Sequence, residues 1–453
     1  MRGRPRPSLP AAAAVGLLLV LVLAAAGRWG GNDGGLRGVS PRGWRAGRKS
    51  SVCECRLGEV LQDGACSPVS DAVSYLPPPS EVRGAECPGW AEQADRLGRE
   101  IKGLQWDRCT ATTFAPSLLP PHGFGSTFMY AAYGLARGHA AGKAFDVVPG
   151  SFRLFARDDC GGSFMCYFDP FSRCGEAAFK RWERAGRQRV NFKHTAYGGA
   201  KVAKRMTQND KRKRPLQVPG AYEGAATMAW YHSELVAYLW RPKPEVRNMV
   251  EDIKRQIGYR HPIVGMHVRR GDACRDTERT PLSQCYELAA YMAHAQKMQD
   301  LYGVENIFLA TDDPEVVREA EGKYRGFRFI YAPIDREWYD AQPKSAGAGP
   351  PPPPLPGLWR GGIEYRLDTG EGDPGKVGLE AVIDAELLGQ ADFFVGTLGS
   401  NLGRIAFELI LSRKRRVVPF ASLDIGWCAS YSTKPGGFQL VTTADGRQEP
   451  FEC

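Results

Sequence analysis

Three stretches of the chain share one pattern, a short apolar run that breaks off abruptly into small, polar or charged residues. They are His261 to Val268 followed by Arg269-Arg270-Gly271-Asp272, Ile307 to Ala310 followed by Thr311-Asp312-Asp313-Pro314, and Asp392 to Val395 followed by Gly396-Thr397-Leu398-Gly399-Ser400-Asn401. Runs this short, flanked by helical periodicity, predict strands of a parallel sheet buried on both faces. Ligands of such sheets collect beyond the carboxyl ends of the strands, so the three polar clusters are expected to face one crevice. After the third run, Leu402, Ile405, Ala406, Leu409 and Ile410 keep a helical spacing, which predicts a helix with Ser400 at its N-cap. A second glycine turn, Gly123-Phe124-Gly125-Ser126, precedes another helical stretch, Thr127 to Arg137. Alternating helical and strand-like segments from about residue 116 onward predict an α/β fold.

Composition narrows the classes. With 453 residues, 43% hydrophobic and 24% charged, the chain is neither disordered throughout nor a polytopic membrane protein. Its net charge of +10 is concentrated at one end: residues 1 to 50 hold nine basic side chains against Asp33, a local +8, which leaves +2 for the rest. A basic groove through the folded part is therefore not expected, and no nucleic-acid partner is expected either. The same end carries the apolar run Ala11 to Ala26, 16 residues long. It predicts a short signal anchor or a cleaved signal peptide, with an organelle transit peptide as a further alternative.

Twelve cysteines without a CxxC pair suit disulfides in an oxidising lumen better than a structural metal. Residues 28 to 50, rich in Gly and Arg, read as a stem, and residues 51 to 110, with five cysteines, as a stapled neck. Residues 199 to 215 are a polar, basic loop, and the Pro/Gly tract at 343 to 357 is an exposed insertion.

The chemistry starts from Arg269 and Arg270. Two adjacent guanidiniums on a tight turn suit a diphosphate, and they can neutralise charge on a departing phosphate without a metal; a surface ion pair with Asp272 is the alternative. His267 points either into the core or at the ligand. The turns ending at Ser400 and Ser126 offer helix N-termini to an anion, whereas Arg404 and Glu408, one turn apart, have the spacing of an ion pair. No GxSxG, HExxH or P-loop pattern occurs, and Asp158-Asp159-Cys160 is not an Asp-x-Asp metal motif, so no metal or other cofactor is expected.

These blocks resemble a known family. Trp230 to Asp272, Leu309 to Pro314 and Ile383 to Glu408, together with Gly123-Phe124-Gly125 and Gly161 to Cys174, are similar to the α1,6-fucosyltransferases of N-glycan cores. More distantly they resemble rhizobial chitooligosaccharide fucosyltransferases and protein O-fucosyltransferases. The resemblance covers roughly residues 120 to 410. It implies a GT-B-like fold: an anchor (1–30), stem and Cys-rich neck (31–115), an N-terminal Rossmann-like acceptor-side domain (116–260), a facing nucleotide-sugar-binding Rossmann-like domain (261–430) and a tail (431–453).

The activity implied is inverting, metal-independent transfer of fucose from GDP-fucose to a glycan or glycoprotein, in the Golgi, on a single-pass type II membrane protein or a secreted one. The alternatives are a protein O-fucosyltransferase acting on Ser or Thr and a non-catalytic carbohydrate-binding protein of the same fold. By position, Arg269 and Arg270 would hold the β-phosphate, and Gly123, Gly125, Ser126, Ser400 and Asn401 would line the donor site. His267 and Asp384 would read guanine, while Asp272, Asp312 and Asp313 would shape the pocket. The family's glutamate falls on Thr277, so Asp276 and Glu278, which flank it, are the candidate bases. Cys109 to Cys174 is the implied disulfide. The residues beyond Glu408 are too few for the family's C-terminal β-barrel domain, so the resemblance leaves the acceptor open between glycan and protein.

Overall fold

The computed structural model describes residues 55–62, 65–69, 72–82, 86–110, 112–185, 217–222, 224–275, 285–341, 362–429, 439–442 and 448–451, all within the unit Ser50–Cys453. The strands are β1 (Glu59–Gln62), β2 (Ala65–Pro68), β3 (Ser74–Tyr75), β4 (Phe114–Ser117), β5 (Ala144–Val147), β6 (Ile263–Val268), β7 (Asn306–Thr311), β8 (Arg328–Ile330), β9 (Phe393–Gly396), β10 (Phe420–Ser422), β11 (Gln439–Thr442) and β12 (Gln448–Phe451). The helices used below are α1 (Pro88–Asp107), α2 (Phe124–Ala140), α3 (Met228–Leu239), α4 (Pro244–Ile257), α5 (Gly271–Arg275), α6 (Leu288–Tyr302), α7 (Pro314–Lys323), α8 (Arg336–Asp340), α9 (Pro374–Leu388) and α10 (Asn401–Lys414).

A six-stranded sheet in the order β3-β10-β9-β6-β7-β8 organises the C-terminal half. All its pairings are parallel except the edge strand β3, which runs antiparallel to β10. From β6 the chain first adds β7 and β8 on one side, then β9 and β10 on the other. The order thus reverses between β6 and β9, and such a switch point opens a crevice beyond the strand ends. The three apolar runs of the sequence are the adjacent strands β9, β6 and β7 at the middle of this sheet.

The strands read as continuous apolar runs because both faces are covered. Val264, Met266 and Val268 pack with Leu288, Tyr291, Met292 and Met298 in one core, while Ile263, Phe308 and Phe394 join Val382, Ile383 and Leu387 in the other. On that second face a side chain at Gly265 would lie 3.0 Å from the Ala391 Cβ, so glycine lets the end of α9 approach the strand. Local signals fix the helix starts: Pro314 and Pro374 occupy the first turns of α7 and α9, and Asp313 and Asp373 cap them through their carboxylates.

The α/β expectation with a parallel sheet matches what is observed. In the N-terminal half, β4 and β5 pair in parallel and α2 covers them. Phe124, Phe128, Phe152, Phe155, Phe164, Phe168 and Trp240 form a network of ring contacts 4.0 to 6.3 Å apart beside them. The same core runs on without a break into Ile383, Phe394 and Ile405.

Cys109 is bonded to Cys174, as the resemblance implied, and Cys55–Cys66, Cys160–Cys166 and Cys274–Cys285 are also disulfides. Among the described residues no helix is long and apolar enough to cross a membrane. The apolar run Ala11–Ala26, the basic loop 199–215 and the Pro/Gly tract 343–357 lie outside the described residues.

Candidate functional site

Parallel register places the first charged residues beyond β6 and β7 side by side. Val268 pairs with Thr311, so Arg269 and Asp312 emerge as neighbours. The Asp312 carboxylate accepts from the Arg269 guanidinium and, at 2.9 Å, from the Arg270 backbone N–H. The Arg270 guanidinium lies between Asp313 at 3.4 Å and Glu287 at 3.3 Å. Asp313 also caps α7 by accepting from the Glu315 N–H at 2.8 Å, which fixes its position. Gly271 makes this cluster possible. Its φ is +38°, and a Cβ there would lie 2.7 Å from Asp312 Oδ2. The side chains of Arg269 and Arg270 keep 27% and 21% of their exposure, so both braced guanidiniums retain access to a ligand.

His267, two residues before Arg269, lies on the face that meets α10. Its Nδ1 is 2.9 Å from where a Cβ on Gly403 would stand, and this buried nitrogen has no partner. Burial, reinforced by the charge of Arg269, drives its pKa down to about 3, so the ring is neutral at physiological pH. The residue is buried, as the core alternative had it, and it borders the first turn of α10.

The two glycine turns meet. A Cβ on Gly125 would approach the Leu402 nitrogen to 2.7 Å and the Asn401 carbonyl carbon to 2.9 Å, so the first turns of α2 and α10 touch backbone to backbone. A Cβ on Gly123 would lie 2.7 Å from the Glu364 carboxylate, and Ser126 beside it is half-buried. Ser400 takes the N-cap position but its hydroxyl makes no capping bond. The turn before it already has an acceptor, because the Leu398 and Gly399 N–H groups each donate at 3.0 Å to Asp424. Ser422 Oγ supports that carboxylate from 2.8 Å. The Asn401 side-chain oxygen accepts from Arg404, which also reaches the Cys428 carbonyl at 2.7 Å. Glu408 instead accepts from Trp427 Nε1 at 2.8 Å and His232 Nδ1 at 3.1 Å, so the ion pair suggested by the Arg404–Glu408 spacing gives way to separate partners.

Asp384 lies on α9, buried, with Oδ1 unpartnered. Burial raises its pKa to about 7; Arg336 opposes the rise, while Glu380 and Asp312 add to it. The charge of Asp312 therefore acts on both Arg269 and Asp384, which joins the strand-end cluster to α9. Of the other expected residues, Asp272 falls in α5, and Asp276 and Glu278 lie outside the described residues, inside the loop closed by Cys274–Cys285. Sequence reasoning missed Asp424, Arg336 and the His232–Glu408–Trp427 group. Asp424 was within reach of the strand-end rule, since it follows the apolar run at β10. The His232–Glu408–Trp427 group carries no local signal, because its members come from distant segments, and Arg336 belongs to no motif.

The fold and this cluster define an α/β protein with paired arginines at the switch point of a parallel sheet. Residues 223–336 match the family model for alpha-(1,6)-fucosyltransferase N- and catalytic domains, a segment that contains β6, both arginines and Asp312–Asp313. The resemblance to α1,6-fucosyltransferases read from the sequence is thereby borne out. Among curated proteins, an alpha-(1,6)-fucosyltransferase of Drosophila melanogaster is 27% identical over 189 residues, 40% of this chain. The chain spans about a quarter of that relative's length. Among solved structures, NodZ alpha-1,6-fucosyltransferase soaked with GDP-fucose aligns at 15% identity over 65% of this chain and 91% of its own, with a TM-score of 0.37. POFUT1 in complex with GDP-fucose aligns at 12% identity over 56% and 68%, with a TM-score of 0.29.

Proposed function

We propose that this chain is a fucosyltransferase that moves fucose from GDP-fucose to a glycan acceptor with inversion and without a metal. The observation that carries the reading is the pair Arg269 and Arg270 at the carboxyl end of β6, braced by Asp312 and Asp313, inside the segment that matches the family model. A guanidinium carries five N–H donors in a planar fork that matches the oxygens of a diphosphate. In the transfer, the acceptor hydroxyl oxygen bonds to the anomeric carbon and passes its proton to a base, while the bond from that carbon to the phosphate oxygen breaks. The electron pair leaves on GDP, and the two arginines stabilise its charge, so neither an acid nor a divalent ion is needed at the leaving group. His267, held neutral, adds no positive charge beside them. The base belongs to Asp276 or Glu278. A GT-B-like arrangement with acceptor-side contacts from residues 116–260, a type II anchor and a Golgi-lumenal catalytic part complete the proposal.

The test is to incubate the purified full chain with GDP-fucose, glycan acceptors and Ser/Thr peptides, and to follow GDP release with and without chelator. Chelator-resistant release with fucosylated glycan is the expected result, and fucosylated peptide would move the acceptor to protein. GDP binding without any transfer would leave a carbohydrate-binding protein, and absence of GDP binding would remove the proposal altogether.

A further inference from the structure

Arg336 opens α8 with only 8% exposure. Its Nη1 donates to the Ala332 carbonyl at 3.1 Å and its guanidinium lies 5.0 Å from the Tyr331 ring, yet Nε and Nη2 are buried without a partner. Asp384, 6% exposed, has an unpartnered carboxylate oxygen. The charge of Arg336 opposes the rise that burial causes in the Asp384 pKa. Unsatisfied buried opposite charges attract strongly, but among the described residues no ion pair joins them. Neighbouring bonds hold their helices: Tyr339 of α8 donates to Glu380 of α9 at 2.8 Å, and Lys376 of α9 reaches Asp335 at 3.3 Å.

Free donors on one side and a free acceptor on the other select a ligand that offers both. A phosphate would meet the Asp384 carboxylate, and a metal ion would meet the Arg336 charge. A guanine ring suits the two together, since O6 and N7 accept on one edge while N1–H and the 2-amino group donate on the next. We infer that Arg336 is a specificity-determining residue for the nucleotide base, donating from Nε and Nη2 to O6 and N7 while Asp384 accepts from the neighbouring edge. This rests on the proposed GDP-fucose reading and adds to it the residue that separates 6-oxo from 6-amino purines. Adenine would turn its amino group toward the guanidinium, donor against donor.

The experiment measures GDP, IDP, ADP and 7-deaza-GDP binding calorimetrically on the full chain, wild type and Arg336→Gln. For wild type, 7-deaza-GDP, which lacks the N7 acceptor, is expected to bind roughly tenfold more weakly than GDP, and ADP far more weakly than either GDP or IDP. Glutamine matches adenine N6 and N7, so Arg336→Gln is expected to lower the GDP-over-ADP affinity ratio roughly 5- to 150-fold, with ADP binding gained. A misfolded variant cannot gain ADP binding, and the wild-type 7-deaza comparison stands if the variant fails to fold. Wild-type binding of GDP and 7-deaza-GDP with equal affinity, or an unchanged ratio in a folded variant, overturns the role of Arg336 while the function stands. Failure of the wild type to bind GDP overturns both.

Discussion

Replacing Gly271 by alanine tests whether the arginines depend on the position of Asp312. The new Cβ would lie 2.7 Å from Asp312 Oδ2 and 2.9 Å from its Cγ, so the carboxylate must move. It would leave the Arg270 N–H, which it accepts at 2.9 Å, and loosen the Arg269 guanidinium. The φ of +38° adds strain of about 1–2 kcal/mol for a residue with a Cβ. Loss of a hydrogen bond to a charged group adds about 1.5–3 kcal/mol, so the expected destabilisation is about 2–4 kcal/mol after partial relaxation. GDP affinity should fall on the order of tenfold, because the guanidiniums lose their brace. Urea unfolding and GDP titration of Gly271→Ala, Asp312→Ala and the double variant separate the two contributions. In the Asp312→Ala background the glycine substitution is expected to cost only the strain. If it costs as much there as in the wild type, the collision with Asp312 is not the cause. If the single variant matches wild type in both measurements, the brace is not needed.

Other outcomes follow from the buried charges and the cross-links. Asp384 has its pKa raised from 3.8 to about 7, so its contribution to stability is present below the unfolded value and lost as pH rises through 7. Wild type should therefore lose stability relative to Asp384→Asn between pH 4 and 7, by roughly 4 kcal/mol at most, as read from urea midpoints across pH. His267 runs the other way, with its contribution present above 6.5 and lost as pH falls toward about 3, and the difference between the two variants cancels it. GDP binding through an ionised Asp384 should release about one proton more at pH 6 in wild type than in Asp384→Asn, the phosphate's own proton release being common to both, measured by calorimetry in buffers of different ionisation heat. Glu408→Ala removes the acceptor shared by Trp427 and His232 and should destabilise by about 2–5 kcal/mol, with Glu408→Gln milder in the same unfolding assay. Removing the Cys109–Cys174 bridge should cost about 2–5 kcal/mol in thermal unfolding.

How much of this was legible in the sequence follows from how local each cause is. The strands β6, β7 and β9 showed themselves because burial on both faces demands unbroken apolar runs, and their polar ends marked Arg269, Arg270, Asp312 and Asp313. The capping role of Asp313 was fixed within a few residues by Pro314 and Glu315. The use of the Gly399 turn was not legible, since the carboxylate that accepts its N–H groups arrives from Asp424, 25 residues away. Nor was the fate of Arg404 and Glu408, whose one-turn spacing suits a pair on an exposed helix, whereas α10 is buried and each finds partners on other segments. In the N-terminal half the alternating segments resolve, among the described residues, into the parallel pair β4–β5 and a network of aromatic rings.

The central claim is that Arg269 and Arg270 grip the diphosphate of the donor. Titrating Arg269→Lys with GDP and with guanosine tests it most directly, because lysine keeps the charge and loses the planar fork. GDP affinity is expected to fall by about tenfold or more while guanosine affinity stays at the wild-type value. Equal losses for both ligands, or no loss for GDP, would contradict the account.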